Sequence, residues 1–184
     1  IITGSGIDPR STTLTYDAAT GRFPVATTNA LNQSEVKEYD PRTGEVTKHT
    51  GPNGLVTTWT YDGLGRKLTE RRPDTTTTTI DYAACGSGCP ALAVTRTTVT
   101  PAGQAARVSD RDILGREIQT ATQGFNGAWV YRNTTYDALG RVSQTSLPYY
   151  SGETPRYTVN EYDALNRVKK LTAPGTRVTT TVYS

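Results

Sequence analysis

A short motif recurs along almost the whole chain, and its recurrence restricts the possible folds more than any other feature. Its clearest copy is the sequence TYDALGRV at residues 135–142. Asp137, at the first position of a tight turn, can accept hydrogen bonds from backbone N–H groups two residues on. Gly140 can take a positive φ at low cost, as a type I turn with a bulge requires. Because β-forming residues flank this turn on both sides, the motif predicts a β-hairpin.

Six clear copies of this motif are spaced almost evenly. The first turn residue is an aspartate in every copy: Asp17, Asp40, Asp62, Asp112, Asp137 and Asp163. Successive aspartates are 23, 22, 50, 25 and 26 residues apart, and the step of 50 fits two units with a degraded one at residues 78–90. A period of this length is typical of repeat proteins built from one supersecondary unit per repeat. The sequence therefore predicts a single array of about seven units over residues 1–184, without a separate second domain.

Three further positions recur around the turn aspartate, and we assign them a structural role in the repeat. A tyrosine directly precedes the aspartate in five copies: Tyr16, Tyr39, Tyr61, Tyr136 and Tyr162. The residues that close the turn are Gly21, Gly44, Gly65, Gly115, Gly140 and Asn166. An arginine follows in five copies: Arg22, Arg66, Arg116, Arg141 and Arg167. Arg111 stands in a tyrosine position, and Asn166 stands in a glycine position, where asparagine tolerates the left-handed conformation.

Further turn signals lie between the copies and separate runs that are rich in Thr, Val and Tyr. Each repeat thus supplies two strands of about six residues, and no stretch shows helical periodicity. The predicted fold is all-β, with consecutive antiparallel hairpins forming a curved, twisted sheet. One face is expected to carry Leu55, Trp59, Tyr61, Leu68, Val142 and Leu147, and the other to be rich in Thr, Ser, Lys and Arg.

The composition argues against several other classes of protein. Only 34% of the residues are apolar, so stability is expected to come from repeats that stack on their neighbours. The net charge of +3 is dispersed, which predicts neither a nucleic-acid surface nor a membrane patch. No run approaches the roughly 18 apolar residues of a membrane span. The absence of methionine, including at position 1, indicates a segment of a longer chain.

The recurring sequence Y-D-x-x-G-R, followed by a β-forming residue, resembles the YD repeat of Rhs proteins. Related repeats occur in the B and C components of insecticidal Tc toxins, in bacterial wall-associated proteins and in teneurins. The resemblance rests on the Tyr–Asp pairs and on the arginines after the turns, and it extends over almost the whole chain.

The resemblance implies a large hollow β-shell formed by spiralling repeats. In toxin members such a shell encloses a C-terminal toxic polypeptide, and in others the repeats are displayed at the surface and linked to carbohydrate or partner binding. It also implies a bacterial protein that is secreted or held at the cell surface. The self-cleaving aspartyl site of the family has a DPxGL-type motif, but Asp8-Pro9 and Asp40-Pro41 lack the following Gly-Leu. No catalytic residue is therefore carried over.

The Tyr and Arg side chains of the turns have two interpretations. Projecting together, they could bind sugars or acidic groups. Alternatively, the Asp caps its turn, the Gly forms the bulge, and Tyr and Arg pack against the next repeat, where Arg can stack on a Tyr ring. We favour the structural interpretation, because every copy would otherwise be a binding site.

Cys85 and Cys89 lie in the degraded unit, in the sequence ACGSGCP. With His49 as the one plausible further ligand they make a poor zinc site, because a structural zinc site usually has four ligands. Their spacing also differs from the CxxC of thioredoxin-like centres. Two options remain, a pair of free thiols or a local disulfide, and the exported parent that the resemblance implies favours the disulfide.

The remaining candidate residues are aromatic. Trp59 and Trp129 could stack on sugar rings, although anchoring the buried face of the sheet uses their large ring surface better. The sequence assembles no acid–base pair, Ser-His-Asp arrangement or phosphate-binding loop, and no cofactor or metal is expected. We predict a non-catalytic structural segment of a shell, whose partners are neighbouring repeats and an enclosed C-terminal toxin. The alternative is a surface adhesive module that binds carbohydrate or a partner protein.

Overall fold

The computed structural model describes residues 2–4, 7–175 and 177–183, which form β-strands joined by turns. No helix occurs among these residues, and the predicted all-β class is confirmed. The described part of the chain accordingly holds no helix long and apolar enough to cross a membrane. The strands are β1 (Ile2–Gly4), β2 (Ile7–Arg10), β3 (Thr13–Tyr16), β4 (Pro24–Thr28), β5 (Ser34–Tyr39), β6 (Val46–Thr50), β7 (Val56–Tyr61), β8 (Lys67–Arg71), β9 (Thr77–Ala84), β10 (Thr95–Pro101), β11 (Arg107–Arg111), β12 (Glu117–Gln123), β13 (Trp129–Tyr136), β14 (Val142–Ser146), β15 (Tyr149–Tyr150), β16 (Tyr157–Tyr162), β17 (Val168–Thr172) and β18 (Val178–Thr180).

The chain divides into two compact units, Ile1–Ile80 and Asp81–Ser184. In the first unit, β1 and β2 pair as a separate two-stranded ribbon. From β3 onward each strand pairs antiparallel with the next, ending with the pairing of β8 and β9. Neighbours in sequence are thus neighbours in the sheet, as a run of hairpins requires.

In the second unit, β10 to β14 pair antiparallel in chain order, followed by β16, β17 and β18. The short strand β15 leaves this order and pairs with β13, where Tyr149 lies opposite Tyr131. It belongs to a long connection whose base is closed by a 2.7 Å hydrogen bond from the Leu147 N–H to the Arg156 carbonyl oxygen. The ladder therefore continues past this irregular connection.

A register shift recurs directly before each turn aspartate. It lies at Tyr16, Tyr39, Tyr61, Arg111, Tyr136 and Tyr162. The residue that closes the turn has a positive φ, for example 79° at Gly140 and 63° at Asn166. A type I turn that ends in a left-handed bulge residue produces this combination. The motif therefore builds a bulged hairpin, and the bulge increases the local twist.

The sheet encloses little apolar core. Among the described residues, Ala106 and Ala121 are the buried hydrophobic side chains, while Asp110 and Ser146 are each only 1% exposed. Leu55 and Leu147, expected on one face of the sheet, lie outside the strands and are 54% and 44% exposed. Stabilisation must therefore come largely from the backbone ladder and from contacts between successive repeats.

Candidate functional site

The turn of each later repeat is closed by its aspartate. In the third copy, Asp62 Oδ1 accepts hydrogen bonds from the N–H groups of Leu64 and Arg66, both at 2.9 Å. Asp62 Oδ2 accepts a hydrogen bond from Nε of Arg66 at 2.7 Å. One carboxylate thus satisfies two backbone donors and fixes the arginine side chain. We name this pairing the Asp–Arg clamp, and it recurs in Asp112–Arg116, Asp137–Arg141 and Asp163–Arg167.

The first two copies differ because their loops are one residue longer. Asp17 accepts hydrogen bonds from the N–H groups of Arg22 and Phe23, both at 2.8 Å. The Arg22 guanidinium lies over the Phe23 ring instead of returning to the carboxylate, 5.3 Å from the ring centroid. Asp40 pairs with Arg42 inside its own loop, with 3.3 Å between Nη2 and Oδ2. The clamp thus depends on the i,i+4 spacing of the shorter turns.

The tyrosine of one repeat reaches the preceding repeat within each unit. Its hydroxyl donates a hydrogen bond to the main-chain carbonyl oxygen of the first residue in the preceding return strand. The pairs are Tyr39–Pro24 at 3.0 Å, Tyr61–Val46 at 2.8 Å, Tyr136–Glu117 at 2.9 Å, Tyr162–Val142 at 2.8 Å and Tyr183–Val168 at 2.9 Å. A hydrogen bond of this kind contributes about 1 kcal/mol to stability.

In the second unit the clamped arginine also stacks on the tyrosine of the next repeat. The distances from guanidinium carbon to ring centroid are 4.5 Å for Arg116–Tyr136, 4.4 Å for Arg141–Tyr162 and 4.0 Å for Arg167–Tyr183. A cation–π contact at a partly exposed site adds about 0.5–1 kcal/mol. We name the tyrosine hydroxyl bond and the arginine stacking together the inter-repeat contact. It links the aspartate, arginine and tyrosine positions of successive motifs into one chain of interactions.

The turn carboxylates are held in their charged form. The pKa of Asp17 is lowered to about 2, chiefly by hydrogen bonds from the Phe23 N–H and the Thr20 hydroxyl. The Arg141 side chain, followed by its N–H, lowers the pKa of Asp137. The same direction holds for Asp40, Asp62, Asp112 and Asp163. Carboxylates that accept such hydrogen bonds are poor proton donors at neutral pH.

Two positions depart from the simple motif. Arg111, which stands in a tyrosine position, donates a 3.1 Å hydrogen bond from Nη1 to the Gly115 carbonyl oxygen and so bridges its own turn. Tyr183, which the sequence reading did not single out, takes the tyrosine position of the repeat that follows Tyr162. Its spacing of 21 residues from Tyr162 was the one available signal.

The degraded unit replaces the short turn by a longer loop. Its base is closed by a 2.9 Å hydrogen bond from the Cys85 N–H to the Val94 carbonyl oxygen. The N–H of Asp62 bonds the Arg66 carbonyl oxygen in the same way, so Cys85 takes the place of the turn aspartate. Cys85 and Cys89 form a disulfide within this loop.

An ion pair that the sequence did not predict lies beside this loop, between a buried aspartate and a partly exposed arginine. Arg96 donates from Nε and Nη2 to the two carboxylate oxygens of Asp110, at 2.6 and 2.8 Å. This pairing raises the pKa of Arg96. Arg96 Nη2 also donates to the Gly88 carbonyl oxygen at 3.2 Å, which ties the loop to the sheet. The register of β10 and β11 places Arg96 opposite Asp110, and local sequence carries no signal for that register.

The two tryptophans are half-buried. Trp59 donates from Nε1 to Glu70 Oε2 at 3.1 Å, and Lys67 Nζ lies 5.5 Å from its ring centroid. Trp129 is the first residue of β13.

His49 pairs with a glutamate of the neighbouring strand, with 3.3 Å between His49 Nε2 and Glu35 Oε2.

Part of this repeat array matches a known sequence family. Residues 39–77 match the sequence family described as RHS Repeat. These residues carry an RHS repeat. The expectation of an Rhs/YD-repeat protein is thereby confirmed, and no curated protein matches the chain.

Three crystal structures share the fold. TcdB2-TccC3 matches with a TM-score of 0.77 and 18% identity, over 94% of this chain and 12% of that chain. TcdB2-TccC3-TEV matches with a TM-score of 0.76 and 14% identity, over 94% of this chain and 14% of that chain. TcdB2-TccC3 without its hypervariable C-terminal region matches with a TM-score of 0.69 and 15% identity, over 87% of this chain and 14% of that chain. The chain thus spans about an eighth of the length of these proteins, and the likeness is one of fold.

Proposed function

We propose that this chain is a non-catalytic wall segment of an Rhs-type shell, within a longer bacterial protein that is secreted or held at the cell surface. The observation that carries the proposal is the inter-repeat contact, in which Tyr136, Tyr162 and Tyr183 each bind the turn of the preceding repeat. These contacts and the backbone hydrogen bonds between strands join successive hairpins into a continuous surface. The first partners of the segment are then neighbouring repeats of the same protein.

The same geometry argues against catalysis by the turn residues. Both carboxylate oxygens of Asp137 accept hydrogen bonds from Leu139 or Arg141 inside their own turn. Its lowered pKa makes Asp137 a weak base and leaves it without a proton to donate near neutral pH. The carboxylate of Asp110 is paired with Arg96. We therefore expect no turnover and no cofactor requirement.

We further propose that the wall encloses a C-terminal toxin polypeptide. One of the crystal structures that share the fold is TcdB2-TccC3 without its hypervariable C-terminal region, and it still matches this chain with a TM-score of 0.69. The shared repeat fold therefore does not depend on that region. A shell that encloses a separate polypeptide is expected to keep its fold when that polypeptide is absent.

Limited proteolysis of the longer parent protein tests this function. The C-terminal region is followed in the native protein and after denaturant has opened the repeats. We expect the region to resist the protease only while the repeats are folded. Rapid cleavage of that region in the native protein would contradict enclosure, and the adhesive function would then be favoured.

The second candidate is a surface module that binds carbohydrate or a partner protein. One observation favours it: Phe125 is fully exposed in the turn that precedes Trp129, which places two aromatic residues at one turn. Aromatic rings of this kind can stack on sugars. Glycan-array binding that Trp129→Ala removes while the fold is kept would support this function.

A further inference from the structure

We propose that the reduced chain binds one zinc ion through Cys85, Cys89 and Asp110. The ligand atoms of these residues, two sulfurs and a carboxylate oxygen, all lie within 4.8 Å of one another. Cys85 Sγ lies 3.9 Å from Oδ1 of Asp110. Zinc takes Zn–S bonds of about 2.3 Å and Zn–O bonds of about 2.0–2.2 Å, so tetrahedral ligand atoms stand about 3.5–4 Å apart. The separation of Cys85 Sγ from Asp110 Oδ1 already fits such a site, whereas the two sulfurs, which are bonded to each other in the disulfide, must move apart on reduction.

The sequence showed no sign of the third ligand, Asp110, because it is distant from the two cysteines in the chain. Two cysteines four residues apart are insufficient for zinc, but the register of β10 and β11 brings Asp110 to them from 25 residues away. Asp110 is 1% exposed, so its carboxylate is already desolvated and fixed in position. Zinc accepts carboxylate oxygen alongside thiolate sulfur, which suits this ligand set. Three protein ligands leave the fourth coordination position to water.

The ion pair with Arg96 is compatible with this site. Asp110 Oδ1 accepts Arg96 Nε at 2.6 Å and Oδ2 accepts Nη2 at 2.8 Å, and each oxygen keeps a second lone pair. Hydrogen bonds of this kind orient metal-ligating carboxylates in known sites. The charges also balance, because Arg96 offsets Asp110 while the zinc ion offsets the two thiolates. The cluster, in which Asp110 is buried and the two cysteines are partly exposed, would therefore be neutral when it is loaded.

The disulfide makes this site dependent on redox state. In the structure both sulfurs are bonded to each other, and the described residues hold no free cysteine. A dithiol reductant supplies two electrons and two protons, is itself oxidised to a disulfide, and leaves the Cys85 and Cys89 thiols. Zinc then displaces the two thiol protons to solvent as both Zn–S bonds form. The oxidised chain has no thiolate to offer and should not bind the metal.

The experiment measures zinc bound to the whole chain in its two redox states. The chain is reduced anaerobically with a dithiol, the reductant is removed by gel filtration, and zinc is titrated against a chromogenic chelator. We expect one zinc per reduced chain and less than a tenth of that in the oxidised chain. Cobalt bound in place of zinc should give a thiolate charge-transfer band, which Cys89→Ser should abolish. Absence of binding by the reduced chain would overturn the proposal.

The role of Asp110 is tested separately. Asp110→Asn should weaken zinc binding about tenfold or more, whereas Asp81→Asn, an exposed carboxylate on β9, should leave it unchanged. A synthetic peptide of residues 84–95 supplies both cysteines without Asp110 and keeps the test valid if Asp110→Asn fails to fold. The folded reduced chain should bind zinc at least about tenfold more tightly than this peptide. Equal affinity would show that the two thiols act alone and would overturn the three-ligand site.

Discussion

The hydroxyl of Tyr162 donates a 2.8 Å hydrogen bond to the main-chain carbonyl oxygen of Val142, while Arg141 lies 4.4 Å from the centroid of the same ring. Arg141 is itself held by Asp137 through a 2.7 Å hydrogen bond from Nε to Oδ2. One tyrosine therefore contacts both the backbone and the clamped side chain of the preceding repeat. Because each repeat relies on its neighbour in this way, stability in this sheet is a nearest-neighbour property.

The contribution of the Tyr162 hydroxyl to stability can be measured separately from that of its ring. Tyr162→Phe keeps the ring for Arg141 but leaves the Val142 carbonyl oxygen without its tyrosine donor. We expect the free energy of unfolding to fall by about 1 kcal/mol, measured by urea denaturation with an unchanged m-value. Tyr150→Phe, at an exposed tyrosine of β15, is the matched control and should change it by less than about 0.5 kcal/mol. Equal effects in the two variants would show that the hydrogen bond contributes nothing specific.

The turn carboxylates predict how stability depends on pH. Their folded pKa values are lowered, from 3.8 to about 2 for Asp17, so the unfolded chain binds more protons in acid. Stability is therefore fully present above the unfolded pKa and is lost as pH falls through the folded pKa. We expect the melting temperature at constant salt to be level above roughly pH 5 and to fall between roughly pH 4 and pH 2.

Replacing two clamp aspartates checks this assignment. The double variant Asp137→Asn, Asp163→Asn should melt lower than the parent near neutral pH and show a shallower decline in acid. Asp81→Asn, outside the clamps, should follow the parent curve. A double variant with the full acid slope would place the titrating groups elsewhere.

The sequence predicted the features that depend on interactions between residues close together in the chain. The turn chemistry lies within five residues: Asp137 bonds the N–H groups of Leu139 and Arg141, and Gly140 closes the turn with positive φ. Such features can be read from residue types and spacing, and repetition then predicts an all-β run of hairpins.

Features that depend on strand register could not be read in this way. The pair of Arg96 and Asp110 arises only when β10 and β11 align those two residues. Cys85 takes the place of a turn aspartate through its backbone N–H, which every residue type except proline possesses. Tyr183 joins the inter-repeat contacts without the Asp that marks the other tyrosines in sequence. Sequence patterns show which side chains recur, whereas these three features depend on where the folded backbone places a residue.

Thr75 provides a test of stored backbone strain. It adopts a φ of 68° in the turn between β8 and β9, where a β-branched residue is unfavourable. Thr75→Gly should therefore raise the free energy of unfolding by about 1 kcal/mol. Thr79→Gly, at an exposed position within β9, should lower it by about the same amount. The account of the turn would be contradicted if both variants shifted stability in the same direction.

The disulfide should stabilise its loop without determining the fold. The ring joins residues only four apart, so the chain-entropy model gives about 2 kcal/mol. Reduction in the presence of a chelator should lower the free energy of unfolding by about that amount and increase amide exchange in residues 85–94. The double variant Cys85→Ser, Cys89→Ser should not respond to the reductant. Loss of all β-structure on reduction would contradict a purely local role.

If the repeats form an enclosing wall, weakening the inter-repeat contact should make the enclosed region easier to cleave. In the proposed longer parent protein, the rate at which a protease removes the proposed C-terminal cargo region is compared between the wild type and the double variant Tyr136→Phe, Tyr162→Phe, at increasing urea. We expect the region to become cleavable when the repeats open, and at a lower urea concentration in the double variant. Identical cleavage curves for the two proteins, or rapid cleavage in both without urea, would contradict the account that these repeats form an enclosing wall.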